Sequence, residues 1–437
     1  MVTDTIYAES TPRGRGGISI IRISGIETSE ILKRITHREF WPPHEQKLAS
    51  IKDLSGGAVE KALVVFHPGP QSYTGEDTAE ISCHGNPLLV DTIMEIIGAT
   101  GLARVAEKGE FTKRAYINGK IDLAQAEAVG ALINAESAGG VRMAQSLLAG
   151  DLSRRLSRIG EDLFGIITGI EASFVIEEAE HDPDSIRRAV DAIIREIDSL
   201  LAHADCSAKR YSGIITTVAG LPNAGKSSIF NAVLGYPRAI VHHESGTTRD
   251  IIRERVTFSG IDFLFHDTAG IRETASGPEE IGIQKTVDIL KQSHLVLYVV
   301  DACKGLSKQD ERWLDMGEKT IVVMNKADLQ NHPKYGAREG AVWVSAKYGH
   351  GIRDLLGAMA DLFPMGQRGV FIPRHSYLLS RARQYLSYCR EAIDEKMTPD
   401  VLVIDLKTAH QSIGEITGDS IGQDVLDQIF SDFCVGK

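Results

Sequence analysis

The chain has 437 residues, 43% hydrophobic and 24% charged, which is room for roughly two to four globular domains with sizeable cores. A net charge of −11 excludes a broadly basic nucleic-acid-binding surface, although Lys108, Lys113, Arg114 and Lys120 could still meet phosphate locally. Five scattered cysteines without a C-x-x-C pair exclude a disulfide framework and a zinc set, and the apolar runs are too short to span a bilayer, so a cytoplasmic protein with no membrane association is expected.

Up to about Asn118, β-like runs (18–23, 62–66, 79–83) alternate with helix-like ones (28–35, 88–97), predicting an α/β domain over 1–118. Pro87 suits a first helical position, where its missing N–H costs nothing. At Asp122 the composition turns to an Ala-rich helix, with Asp122 as N-cap and Gln125 three residues on as a capping box. Apolar periodicity continues through 147–174 and, after Asp182-Pro183, through 186–201, giving the first part of a helical domain over 119–211.

Between 212 and 365 the pattern becomes strand then helix, with candidate strands at 214–219, 261–266, 295–300, 321–324 and 342–344. This predicts a doubly wound, mainly parallel sheet. Long amphipathic helices return at 377–393 and 401–417, with a short one through Phe430, so 366–437 reads as the second part of the helical domain. The α/β segment is then expected to be an insertion between two helical halves that pack together, with two unrelated helical domains as the alternative.

Within that insertion, Gly220, four residues, Gly225, Lys226 and Ser227 match G-x-x-x-x-G-K-S/T between a strand and a helix. The backbone of Asn223, Ala224 and Gly225 can curl its N–H groups round phosphate oxygens at the helix N-terminus. Lys226 reaches the terminal phosphates, Ser227 offers its hydroxyl to Mg2+, and Ser228 continues the cradle. Asp267-Thr268-Ala269-Gly270 after a strand matches D-x-x-G, in which the Asp holds the magnesium shell and the Gly N–H meets the γ-phosphate. Asn325-Lys326-Ala327-Asp328 reads the base: the Asp carboxylate accepts from N1–H and the 2-amino group of guanine, whereas adenine would leave it buried and unpaired. The nucleotide expected is GTP. Ser345-Ala346-Lys347 follows the last strand, where a backbone contact to the guanine O6 belongs.

His242-His243-Glu244-Ser245-Gly246-Thr247-Thr248 lies between the first two motifs, with Thr248 the candidate for Mg2+ and the γ-phosphate. After Gly270 stands apolar Ile271, where Ras-type GTPases keep a water-orienting Gln. Another group must position the water, and Glu273, Glu279 and Glu280 are candidates that spacing alone leaves open.

These motifs, with TPRGRGGISIIRISG from Thr11, SYTGEDTAEISCHG from Ser72, GEFTKRAYINGKIDLAQAEAV from Gly109 and the final FCVGK, resemble the MnmE (TrmE) family of tRNA modification GTPases over essentially the whole chain. The resemblance implies a multidomain α/β architecture: an N-terminal folate-binding-like α/β domain, an all-α domain and an inserted Ras-like P-loop GTPase domain. It implies a homodimer, the FAD-dependent partner MnmG in a heterotetramer, and tRNA as substrate. The reaction implied adds an aminomethyl or carboxymethylaminomethyl group to C5 of the wobble uridine, with 5-formyltetrahydrofolate or methylenetetrahydrofolate as one-carbon donor.

Carried over by position, Asn223 would ligate K+ with the His242 and Glu244 carbonyls and Thr247, and Glu279 would orient the water. Arg22, Glu80, Lys120 and Lys437 would bind folate, and Cys434 matches the family's C-x-G-K cysteine, with a reacting or positioning role as one reading and a packed small hydrophobe as the other. Asn86 stands where the family has a glycine, and Asn can adopt the same left-handed backbone. A GTP-dependent switch in ribosome assembly, without modification chemistry, is the alternative reading.

Overall fold

The computed structural model describes residues 4–135, 137–174, 182–202, 204–237, 240–243, 253–266, 290–314, 318–329, 340–364 and 372–437. The chain forms two compact units, one of residues 1–133, 147–186 and 391–437, the other of 134–146 and 187–390.

The first unit is built on a six-stranded sheet of order β3-β4-β5-β2-β1-β6. Its strands are β1 (Thr5–Glu9), β2 (Gly16–Ser24), β3 (Lys47–Lys52), β4 (Ala58–His67), β5 (Thr78–Gly85) and β6 (Ala103–Val105). Alternation puts Ile21, Ile23, Val64, Ala79 and Ile81 on one face, where α1 (Thr28–Thr36) and α2 (Pro87–Ala99) bury them. The opposite face carries the rows Leu48–Leu63–Ser82–Ile20 and Val65–Glu80–Arg22–Ala8. Phe111 of α3 (Glu110–Ile117) covers the β1 end of that face by packing on Ile6 and Ala8. Farther out, Leu48 and Ile18 remain 64% exposed.

Local chemistry sets the element ends. Pro87 opens α2, but Asn86 is extended (φ −114°), not left-handed, and its side chain caps the helix by accepting the Leu88 N–H at 3.0 Å. A side-chain cap satisfies the helix where a glycine could not, so no positive φ is needed. The capping box forms as expected: Asp122 N–H donates to Gln125 Oε1 at 3.0 Å and Gln125 N–H to Asp122 Oδ1 at 2.8 Å, opening α4 (Leu123–Ile133).

The run expected through 147–174 is broken at left-handed Gly150 into α5 (Ala138–Leu148) and α6 (Asp151–Ser173). Next come α7 (Pro183–Leu201) and α8 (Ala204–Ser212), and the chain closes with α12 (Pro373–Asp394), α13 (Pro399–Thr417) and α14 (Gln423–Ser431). In the first unit, α6 packs on α13, and Leu156, Ile159, Leu163, Leu406, Ala409 and Ile413 of the two helices are buried.

A buried charge cluster ties this unit together. Arg114, 1% exposed, donates to Asp4 Oδ1 at 2.8 Å, Glu110 Oε1 at 2.9 Å and both Glu76 oxygens at 3.2 Å. Arg104 binds the same Asp4 and Glu110 carboxylates. Such clusters hold only when every charge is paired, because each buried ion loses its hydration.

The second unit is a seven-stranded sheet of order β13-β12-β11-β7-β10-β9-β8. The predicted strands appear as β7 (Ile214–Ala219), β10 (Ile261–His266), β11 (Leu295–Asp301), β12 (Thr320–Asn325) and β13 (Val342–Val344), all mutually parallel where they pair. The sequence reading missed β8 (Ile240–His243) and β9 (Arg253–Phe258), which add on antiparallel at one edge. Helices α9 (Lys226–Leu234) and α11 (Ile352–Asp361) pack on one sheet face, and Trp313 and Leu314 of α10 (Lys308–Leu314) on the other. Among the described residues no helix is long and apolar enough to cross a membrane.

Burial alone would raise the Glu110 carboxyl, but hydrogen bonds from Arg104, the Glu107 N–H and Arg114 outweigh it and hold it at about 2, against an ordinary 4.5. A depressed folded-state pKa stabilises above pH 4.5 and loses that stabilisation as pH falls toward 2. Glu110→Gln is therefore expected to cost about 3 kcal/mol at neutral pH. It should also flatten the loss of stability between pH 4.5 and 2, as read by urea titration at each pH.

Candidate functional site

In the second unit, strands β7, β11, β12 and β13 end together, and the loops that follow them meet at one edge. Gly220 (φ +140°) must be glycine there, since a Cβ would lie 2.2 Å from the Val299 carbonyl oxygen. Gly225 (φ +96°) is the residue before α9, and a Cβ on it would lie 2.2 Å from Asn325 Nδ2. Between them Asn223 is left-handed at φ +63°. The loop therefore has the backbone an anion cradle needs, and Ser227 and Ser228 stand exposed in the first turn of α9. Lys226 Nζ donates to the Gly220 and Leu221 carbonyls at 2.9 and 3.1 Å, folded over the loop it would serve.

Asn325, 2% exposed, joins three loops. Its Nδ2 donates to the Ala224 carbonyl at 3.1 Å and its Oδ1 accepts the Ala346 N–H at 3.2 Å. Lys326 is left-handed (φ +67°), and its Nζ donates to the Asn223 carbonyl at 3.0 Å and to Asp301 Oδ2 at 2.7 Å. Asp328 Oδ1 accepts from Ser345 Oγ at 2.6 Å, a bond that, more than any other influence, holds its carboxyl below the usual range and so ionised. Lys347 lies over the Tyr348 ring at 5.0 Å. The first, third and fourth motifs are thus brought together.

Asp301 was not singled out from sequence. The signal was available: it is the first charged residue after the buried run Leu295–Val300, at the edge where the loops meet. It also accepts the Cys303 N–H at 3.0 Å.

His242 and His243 pair with Arg255 and Glu254 at the antiparallel edge. Glu244, Ser245, Gly246, Thr247, Thr248, Asp267, Thr268, Ala269, Gly270 and Glu279 lie outside the described residues.

The first unit holds the other candidate set. Arg22 is clamped by Glu80, with Nη2 and Nε donating to Oε1 at 2.7 and 3.0 Å, and its Nη1 donates to the Gly436 carbonyl at 3.4 Å. Its guanidinium lies 5.6 Å from the ring centroids of both Tyr73 and Phe111. Neither aromatic was foreseen as a site residue; each sits inside a motif but one needs the fold to reach Arg22. Lys120 meets not this pair but the 68–77 loop that carries Tyr73, donating to the Pro70 carbonyl at 2.8 Å.

The final residues are pinned against this site. Lys437 O accepts the Phe111 N–H at 3.2 Å, Cys434 O accepts the Gly109 N–H at 3.3 Å, and Val435 bridges Lys108. Gly436 (φ +93°) passes so close to β1 that a Cβ would lie 2.1 Å from the Glu9 carbonyl oxygen. Cys434 and Lys437 line a cleft of about 1010 Å3 with Tyr7, Glu9 and Met94, and Arg13 and Asp91, ion-paired at 2.6 Å, line it too.

Comparison with known proteins accounts for both halves. The family description "MnmE helical domain" matches residues 123–434, and "GTP-binding protein TrmE N-terminus" matches residues 5–120. The tRNA modification GTPase MnmE of Carboxydothermus hydrogenoformans is 36% identical over 466 aligned residues, covering 100% of both chains. The protein of that name from a Roseiflexus species is 37% identical over 458 residues, covering 99% of both. The G domain of the T. maritima FeoB iron transporter aligns with 34% of this chain and 97% of its own length, at 24% identity and a TM-score of 0.27. With full-length identity above a third, and both family descriptions in the order in which the two sites occur along the chain, this protein belongs to the MnmE family of tRNA modification GTPases.

Proposed function

We propose that this chain binds GTP at the β7–α9 loop and hydrolyses it to drive modification of C5 of the wobble uridine in certain tRNAs. The group added is aminomethyl or carboxymethylaminomethyl. The observation that carries the reading is the Asn325 side chain, which fixes the phosphate loop at Ala224 and the base loop at Ala346 in one frame. The loop fits a nucleotide because its two glycines sit where no Cβ could, and Asp328 stays ionised to accept from guanine. Bound Mg2+ and K+ would neutralise phosphate charge, Mg2+ held by Ser227 and Thr248, K+ by Asn223, Thr247 and the His242 and Glu244 carbonyls. On this chain's side, Lys226 releases its two loop carbonyls to meet phosphate, and Glu279 orients the attacking water in place of the Gln that Ile271 replaces.

A reduced folate is the proposed ligand of the first unit. Arg22 and Glu80 present a paired cation and anion between two aromatic rings, a setting suited to a flat pterin and a carboxylate tail. Lys120 and Lys437 supply further positive charge, and Cys434 faces the neighbouring cleft. The exposed apolar residues Ile18, Leu48 and Leu63 on the open sheet face support a homodimer formed there. An FAD-dependent MnmG partner, and the division into 1–118, 119–211, 212–365 and 366–437, complete the proposal.

Nucleoside mass spectrometry of tRNA from cells lacking this protein should show loss of the wobble-uridine modification; an unchanged profile would remove the reading. Glu279→Ala should keep GTP binding and lose at least about tenfold in turnover, and near-normal turnover would sink the assignment of that residue. Replacing potassium by sodium should slow hydrolysis strongly, whereas equal rates in the two salts would contradict the role given to Asn223.

A further inference from the structure

His44, on the connection between α1 and β3, and His67, the last residue of β4, belong to neither site described above. Their Nδ1 atoms are 2.9 Å apart, with ring centroids at 5.1 Å and planes inclined by 45°. Two imidazole nitrogens this close cannot both carry a proton; they share one proton or one metal ion. The backbone is held so that they meet. His44 is left-handed at φ +59°, a conformation that costs a non-glycine residue about 1 kcal/mol, and its N–H is fastened to the Phe66 carbonyl at 2.8 Å. Pro43 bridges the same Phe66.

The geometry points to a two-histidine site for a divalent transition-metal ion, zinc or nickel in class, with Nδ1 of His44 and of His67 as its protein ligands. Metal–nitrogen bonds of about 2.0–2.1 Å at a tetrahedral angle place two ligating nitrogens about 3.3 Å apart. To admit the ion the two nitrogens part by about 0.4 Å and both rings turn off the line that joins them, so that their lone pairs converge on one point. Imidazole selects zinc, nickel and copper over magnesium and calcium. Among the described residues no third His, Cys, Asp or Glu closes the set, so water fills the remaining positions and the site is open, not structural. His44 is exposed, which leaves room for that water.

Burial holds the His67 imidazole below its ordinary value, with His44 and Arg22 adding to the shift and Glu80 opposing it, so the ring is neutral and able to ligate at pH 7. His67 follows Val65 on the same sheet face, and Val65 is in register with Glu80, which is in register with Arg22. An ion here sits beside the Arg22–Glu80 pair. The inference rests on the histidine geometry and is independent of the folate reading.

The test is equilibrium dialysis of the full chain against Zn2+, and separately Ni2+, with thermal unfolding in parallel, for wild type, His44→Asn and His67→Phe. Asparagine tolerates the left-handed backbone and phenylalanine suits a strand end, so both variants should fold. Wild type should bind one more ion per chain than either variant, or bind it at least about tenfold more tightly, and only wild type should be stabilised by added metal at that site. Equal stoichiometry, affinity and thermal shift in all three proteins would overturn the site and leave a hydrogen bond between neutral rings. Loss in one variant but not the other would overturn it as well, since both nitrogens are required.

Discussion

The end of the second unit at which the candidate nucleotide loops meet depends on a single buried amide. Asn325 is the last residue of the strand Thr320–Asn325, and its side chain commits its donor and acceptor to Ala224 and Ala346, in two other loops. A buried amide left unpaired costs about 1–3 kcal/mol, so these two bonds are cheaper to keep than to lose. Because the strands beneath are parallel and in register, the loops start from fixed points, and the amide sets only their final separation. Lys326 repeats the device from the outside, joining the Asn223 carbonyl to Asp301.

The first unit solves a similar problem with charge. Its candidate residues come from β2, β5, the 68–77 loop, α3 and the last five residues, and something must hold those parts in register. Arg114 does so from the interior, where Asp4, Glu76 and Glu110 converge on one guanidinium. Glu76 in turn accepts from Ser24 Oγ at 2.7 Å, which ties the loop carrying Tyr73 to the strand carrying Arg22. The final segment docks by backbone hydrogen bonds and by the close passage of Gly436 over β1, so its position is set by backbone shape.

The elements were largely legible from sequence wherever a strong period and a capping signal coincide. Asp122 with Gln125, Pro87 and Asp182-Pro183 mark helix starts that the structure reproduces, and the buried strand β11 is a continuous apolar run from Leu295 to Val300. The edge strands β8 and β9 escaped because their residues, among them His242, His243, Arg253 and Arg255, alternate with charge and read as loop. Asn86 shows a finer limit. Sequence allowed a left-handed backbone there, but its side chain found a helix N–H to accept, and the extended conformation followed.

By itself the sequence determined the family and the spacing of the G-x-x-x-x-G-K-S and N-K-x-D motifs, because spacing within a short segment constrains which backbone and side-chain groups can act together. Only the tertiary structure decided that Asp301 holds Lys326, that Tyr73 and Phe111 flank Arg22, and that the final residues reach Arg22 across 414 positions of chain. Those partners are set by which strands pair and which faces are buried, and a contact between distant residues leaves no local period in the sequence to be read.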